Sequence, residues 1–103
     1  GESDAAGLPV TGLRLAPGPG ARVIAPAAGR VAFAGPYRGY GQIVIVEHGN
    51  GYTSLVTGLA QAEVAAGDEV IGGSPIGTAA RRDPAITLEL RRDGQPVNPL
   101  DYM

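Results

Sequence analysis

Few residues of this chain could perform metal, acid–base or nucleophilic chemistry. The 103 residues include one histidine, His48, and no cysteine, and the ten Asp and Glu residues are scattered singly. A catalytic zinc ion needs three protein ligands of the His, Cys or carboxylate type, and a calcium loop needs closely spaced acids. The sequence therefore predicts no metal site and no other cofactor.

His48 is the remaining candidate for a general base, in the segment 47–51. No nucleophile or second titrating partner is apparent beside it. Thr53, Ser54 and Ser74 lack the Gly-x-Ser-x-Gly setting of an activated serine. We interpret His48 as a turn residue that bonds its own loop, and we predict that the chain has no catalytic residue.

Short apolar runs between glycines and prolines predict an all-β domain without helices. The predicted strands cover 22–25, 30–34, 42–47, 52–57, 63–65, 75–79 and 85–91. The predicted strands 42–47 and 52–57 form a hairpin across Gly49-Asn50-Gly51. The run Ile43–Val46 is apolar and β-branched at every position, which predicts a central strand covered on both faces.

The last predicted strand alternates with a period of two residues. Ile86, Leu88 and Leu90 share one face, and Ala85, Thr87, Glu89 and Arg91 share the other. This pattern indicates a sheet with one buried face, and the second set of side chains is the one available for function.

Composition restricts the classes of function. A chain of 103 residues that is 44% hydrophobic forms one small domain, and a net charge of −2 gives no electrostatic footprint for nucleic acid. No apolar run approaches the roughly 20 residues of a membrane span. The acidic, polar residues 1–9 are interpreted as a linker or vector-derived remnant, and residues 10–103 as the domain.

Three motifs together carry a family resemblance. They are the strand–turn–strand segment 23–35, the glycine-rich hairpin 39–52, and the segment 84–99 that ends in Pro-Val-Asn-Pro. As a set they resemble the LytM/lysostaphin-type peptidases of family M23. The resemblance implies an all-β fold, a small antiparallel sandwich or barrel-like domain related to the biotinyl/lipoyl hammerhead.

The same resemblance implies that the family's chemistry has been lost. Active members hold zinc with a His-x-x-x-Asp pair and the second histidine of a His-x-His, and a further histidine in Tyr-x-His-Leu assists catalysis. The corresponding positions here are Val10, Arg14, Gly58, Ala85 and Thr87. The sequence thus looks like a degenerate M23 domain, similar to the EnvC-like murein hydrolase activators, which are not enzymes.

For such activators the resemblance implies that the emptied cleft binds the regulatory helix of an N-acetylmuramoyl-L-alanine amidase. The groove positions that follow from it are Arg14, Tyr40, Val56, Thr87 and Arg91. Tyr and Arg are enriched among interface hot spots, which agrees with a protein-binding role. The implied location is the periplasm or cell envelope of a Gram-negative bacterium, as the C-terminal part of a longer exported protein.

The sequence has two alternative interpretations. The segments 23–31 and 66–76 also resemble a biotinyl or lipoyl carrier, but a carrier must present a lysine, and all eight basic residues here are arginines. The second alternative is a non-catalytic module that holds peptidoglycan in the old substrate cleft. The sequence leaves this alternative open, because a glycan or peptide would also contact Tyr and Arg.

Overall fold

The computed structural model describes residues 12–15, 17–82, 84–92 and 95–97. Side-chain environments are described for 17–82 and 84–92. The predicted linker 1–9 and Val10 lie outside these residues. The described chain forms nine strands and no helix: β1 Gly12–Leu15, β2 Arg22–Ile24, β3 Gly29–Tyr37, β4 Gly41–Gly49, β5 Tyr52–Ala62, β6 Glu69–Val70, β7 Pro75–Ala79, β8 Ile86–Arg92 and β9 Gln95–Val97.

All the strand pairs are antiparallel and join one curled sheet. Its main path runs β1-β8-β5-β4-β3-β6, with β7 bonded to β2 and β5, and β9 bonded to β8. The long strand β5 makes the curl, because its first half pairs with β8 and its last residues pair with β7. The all-β antiparallel fold expected from the sequence is confirmed.

The hydrophobic core lies inside the curl of the sheet. Its members are small and mostly β-branched: Val23, Ala25, Val31, Val44, Val46, Val56, Leu59, Val70, Ile76, Ala79 and Ile86. Such side chains pack well on a pleated surface, which explains how a domain with five aromatic residues closes a core.

The β4–β5 hairpin follows the sequence closely. Its turn is built by Asn50 with φ 53° and Gly51 with φ 80°, the left-handed conformations that asparagine and glycine accept most readily. The prediction for β4 as a central strand also holds, since it lies between β3 and β5. Its second face carries the buried Ile43 and the half-buried Ile45, and both side chains line a cleft.

One predicted strand is wrong. Residues 63–65 are not a strand, and β5 instead continues to Ala62. Beyond it the chain turns, because the Asp68 carboxylate accepts a bond from the Ala65 amide and the Asp68 amide donates back to the Ala65 carbonyl. This reciprocal pair holds the backbone in a turn, which an alternating apolar pattern does not reveal.

Candidate functional site

A cleft of about 600 Å³ lies on the face of the sheet opposite the core. Its lining comes from β3, β4, β5, β8 and the β3–β4 turn, and comprises Tyr37, Tyr40, Ile43, Ile45, Thr53, Leu55, Thr57, Thr87, Glu89 and Arg91. Cross-strand register explains the set. Thr53 pairs with Arg91, Leu55 with Glu89 and Thr57 with Thr87, and directly opposite residues share a face.

One end of the cleft is aromatic. Tyr37 and Tyr40 are 56% and 57% exposed, and their ring centroids are 5.8 Å apart with a tilt of 54°. The turn between them is closed by a 2.9 Å bond from the Tyr40 amide to the Tyr37 carbonyl. The Tyr40 carbonyl in turn accepts from the Gly58 amide at 2.9 Å, which ties the turn to β5. Two rings are thereby presented to solvent from an ordered backbone.

The other end of the cleft is charged. Arg91 Nε donates to Glu89 Oε1 at 2.5 Å, between residues two apart on the same face of β8. The Glu89 side chain is 22% exposed and that of Arg91 is 43% exposed, so Glu89 is the more buried partner of the pair. Between the aromatic and charged ends, the floor is the apolar surface of Ile43, Ile45 and Leu55.

Gly58 sits at the point where β5 changes partner, and its geometry restricts that position to glycine. Its φ is +86°, and an added Cβ would lie 2.7 Å from the Ala85 carbonyl oxygen. A side chain here needs both a strained backbone and a shift of the strand beside it. This is the position that the resemblance equates with the assisting histidine, so the present backbone does not accept that residue.

The structure brings together three of the five predicted groove residues. Tyr40, Thr87 and Arg91 line the same cleft. For Arg14 only the backbone is described, and its register places it opposite Thr87 on the edge strand β1. Val56 was placed in the groove wrongly: it is 2% exposed and belongs to the core. Because alternate residues of a strand face opposite sides, Thr57 and not Val56 reaches the cleft.

Sequence reasoning missed several cleft residues: Tyr37, Ile43, Ile45, Thr53, Leu55, Thr57 and Glu89. Thr53, Leu55 and Thr57 share one face of β5, but the sequence 53–57 mixes polar and apolar residues on both faces and does not show which face is buried. Glu89 was predicted on the correct face of β8 but was not assigned to the groove. For Ile43 and Ile45, the continuous apolar run did not indicate which face of β4 would line the cleft.

His48 was predicted to bond its own loop, 47–51, and this prediction is wrong. Its Nδ1 lies 2.7 Å from the Ala28 carbonyl oxygen, twenty residues away, and its Nε2 lies 2.6 Å from the Ser54 hydroxyl. A carbonyl only accepts, so Nδ1 carries the proton, and in the neutral ring Nε2 accepts from Ser54. A serine is therefore beside the histidine, but Ser54 is 2% exposed and beyond the reach of a substrate.

Within residues 17–82 and 84–92, no group of three or more His, Cys, Asp or Glu side chains is arranged to hold a metal ion. Both ring nitrogens of His48 are already engaged. The described residues contain no helix with the length and apolar character needed to cross a bilayer.

The fold and its cleft define a class of protein, the lysostaphin-type β domain. Residues 9–99 match the family model for peptidase family M23, and the chain belongs to that family. The solved structure of Helicobacter pylori Csd3 superposes with a TM-score of 0.83, at 27% sequence identity over 92% of this chain and 27% of that one.

Some relatives of the chain are named as activators of murein hydrolases and others as enzymes. The murein hydrolase activator EnvC of Escherichia coli K12 is 38% identical over 96 residues, which cover 89% of this chain and 23% of that protein. The DD-carboxypeptidase/endopeptidase Mpg of Neisseria meningitidis is 38% identical over 94 residues, which cover 87% of this chain and 22% of that protein. The chain thus spans about a quarter of the length of these relatives, and family membership alone does not separate activator from enzyme.

Proposed function

We propose that this domain is a catalytically inactive M23 domain that binds and activates a periplasmic N-acetylmuramoyl-L-alanine amidase during cell-wall remodelling and cell division. The observation that carries the proposal is the cleft itself. Its floor is apolar, its two ends carry Tyr and Arg, and Thr87 occupies the position equated with a family histidine. Such a surface suits a protein segment better than a metal-assisted hydrolysis.

The dimensions of the cleft agree with a helical partner. Four adjacent strands contribute to it, and at roughly 4.8 Å per strand they span about 14 Å, wide enough for a helix of about 10–12 Å diameter. Thr53 at the charged end and Thr57 at the aromatic end are about 13 Å apart along β5. About nine residues of helix cover that distance, which is a short docking element of the amidase.

Three features of the chain argue against hydrolysis by the domain itself. The single histidine has both ring nitrogens bonded to Ala28 and Ser54, which leaves neither free for zinc or for substrate. The chain has no cysteine. The position equated with the assisting histidine is Gly58, where a Cβ collides with Ala85. The name of EnvC as a murein hydrolase activator supports the same proposal.

A second candidate is a non-catalytic peptidoglycan-binding module. The observation that favours it is the pair of exposed rings of Tyr37 and Tyr40, because aromatic faces of this kind can stack on the apolar face of a sugar. This candidate places the ligand on the same cleft and the protein in the same compartment, the cell envelope. The two candidates differ in the partner alone.

The test mixes the purified domain with a periplasmic amidase and, separately, with purified sacculi. We expect the domain to bind the amidase and to increase its release of peptides from peptidoglycan, while the domain alone releases no peptide or sugar. Pretreating the domain with a chelator, then removing the chelator, should leave stimulation unchanged. Binding to sacculi without binding to the amidase favours the second candidate, and release of fragments by the domain alone overturns both.

A further inference from the structure

Among the side chains of residues 17–82 and 84–92, Arg91 is held through one of its five N–H donors. Its Nε bonds Glu89, and within residues 17–82 and 84–92 no other hydrogen bond or ion pair involves its guanidinium. Guanidinium binds a carboxylate best through two parallel N–H bonds. With respect to the side chains that the structure describes, the two terminal nitrogens, Nη1 and Nη2, can bind such a group while Nε stays on Glu89.

The exposure of the two side chains indicates which residue holds the other in place. Glu89 lies opposite Leu55 in the middle of the cleft, and its side chain is about half as exposed as that of Arg91. The more buried Glu89 therefore holds Nε of the more exposed Arg91. An unsupported arginine would lose about 2 kcal/mol of rotamer freedom when it is fixed by a ligand, and support from Glu89 means that part of this loss precedes binding.

We infer that Glu89 is a positioning residue for Arg91, and that the cleft occupant presents a carboxylate to the terminal nitrogens of Arg91. The inference rests on the proposed function, since it specifies the chemistry of the segment that docks in the same cleft. That segment is apolar where it covers the partly exposed Ile45 and Leu55, and acidic at the end that meets Arg91.

Two roles of Glu89, positioning Arg91 or competing with the occupant for Arg91, predict opposite effects of removing Glu89 on what Arg91 contributes to binding. If Glu89 competed with the occupant for Arg91, binding would have to break the Nε bond, and removing Glu89 would make Arg91 contribute more. Because Glu89 engages Nε alone, both carboxylates can bind the guanidinium together. Removing Glu89 should then make Arg91 contribute less.

The experiment is a double-mutant cycle on binding of a purified amidase, measured by calorimetry with the full 103-residue chain. Arg91→Ala should weaken binding by roughly tenfold, which corresponds to about 1.4 kcal/mol. In the Glu89→Ala background the same change should cost no more than about threefold. In the Glu89→Gln background, where the amide oxygen still accepts from Nε, it should again cost nearly tenfold.

A matched control is Glu69→Ala, which breaks the exposed ion pair between Glu69 and Arg30 at 3.9 Å on another part of the sheet. It should alter neither binding nor the cost of Arg91→Ala. A further readout needs no partner: the Nε–Hε NMR resonance of Arg91 should be protected from exchange in the parent and in Glu89→Gln, but not in Glu89→Ala.

The outcomes separate this inference from the proposed function. An equal or larger cost of Arg91→Ala in the Glu89→Ala background, or an Nε–Hε resonance indifferent to Glu89, overturns the positioning role and leaves the cleft as the docking site. If Arg91→Ala does not weaken binding in the parent protein, the cleft assignment fails and the inference fails with it.

Discussion

The two faces of strands β4, β5 and β8 differ in kind although they share a backbone. On the inner face Val44, Val56 and Ile86 are at most 4% exposed and pack in the core. On the outer face the intervening residues are threonines, an ion pair and apolar side chains that line an open cleft. A side chain fully buried on folding contributes all of its burial energy to stability, whereas one that stays partly exposed keeps part of that energy for a partner. The comparison predicts that stability and binding can be changed separately.

The largest effect is expected from neighbouring residues on opposite faces of β4. Val44→Ala removes two methyl groups from a site with no exposure and should lower the free energy of unfolding by roughly 2–3 kcal/mol. Ile45→Ala, on the half-buried cleft side, should cost about 1 kcal/mol but weaken binding of the amidase. Chemical denaturation and calorimetry measure the two effects. Equal loss of stability would contradict the division into faces.

A slightly smaller effect is expected at the bend of β5. Gly58→Ala places a Cβ 2.7 Å from the Ala85 carbonyl and requires alanine at φ +86°, which together should cost about 2 kcal/mol of stability. Gly39→Ala is the matched control, because its φ is +83° but nothing lies within 4 Å of the added carbon. It should cost only about 1 kcal/mol from the backbone. If thermal denaturation gives equal losses, the contact with Ala85 does not restrict the site.

Substitutions at the hydrogen bond between His48 and Ser54 test whether this pair near the core stabilises the fold or takes part in chemistry. His48→Ala leaves the buried Ser54 hydroxyl without its partner and should cost about 1–3 kcal/mol. Ser54→Ala should cost less, because the partly exposed imidazole can bond water instead. Urea denaturation ranks the two variants. The opposite ranking, or any hydrolytic activity of the parent lost in His48→Ala, would show that the histidine has been misinterpreted.

Alternation along a strand was the most informative feature of the sequence, and its neglect caused the main error. The period of two placed Thr87, Glu89 and Arg91 on one face of β8, and all three line the cleft. Val56 was assigned from a motif position instead of from its face, and it lies in the core. Ser54 and Val56 are buried at alternate positions of β5, and the period of two puts Thr57 in the cleft once that buried face is known.

Contacts between distant segments could not be predicted in the same way. The bond from His48 to Ala28 joins β4 to the bend before β3, twenty residues away, and it depends on the β3–β4 register and on how the sheet curls. The bond from Gly58 to Tyr40 likewise follows from the fold and not from a local pattern. Local propensity predicts strands and turns, whereas these links require the relative placement of elements.

The most direct test of the account is amidase stimulation by Tyr40→Ala compared with Arg81→Ala. Tyr40 is exposed in the cleft and Arg81 is exposed outside its lining, so neither substitution should shift the melting temperature appreciably. Tyr40→Ala should reduce the apparent affinity for the amidase by roughly tenfold, or about 1.4 kcal/mol, while Arg81→Ala should leave it unchanged. Unaltered stimulation by Tyr40→Ala, or an equal loss in both variants, would contradict the claim that the cleft is the partner surface.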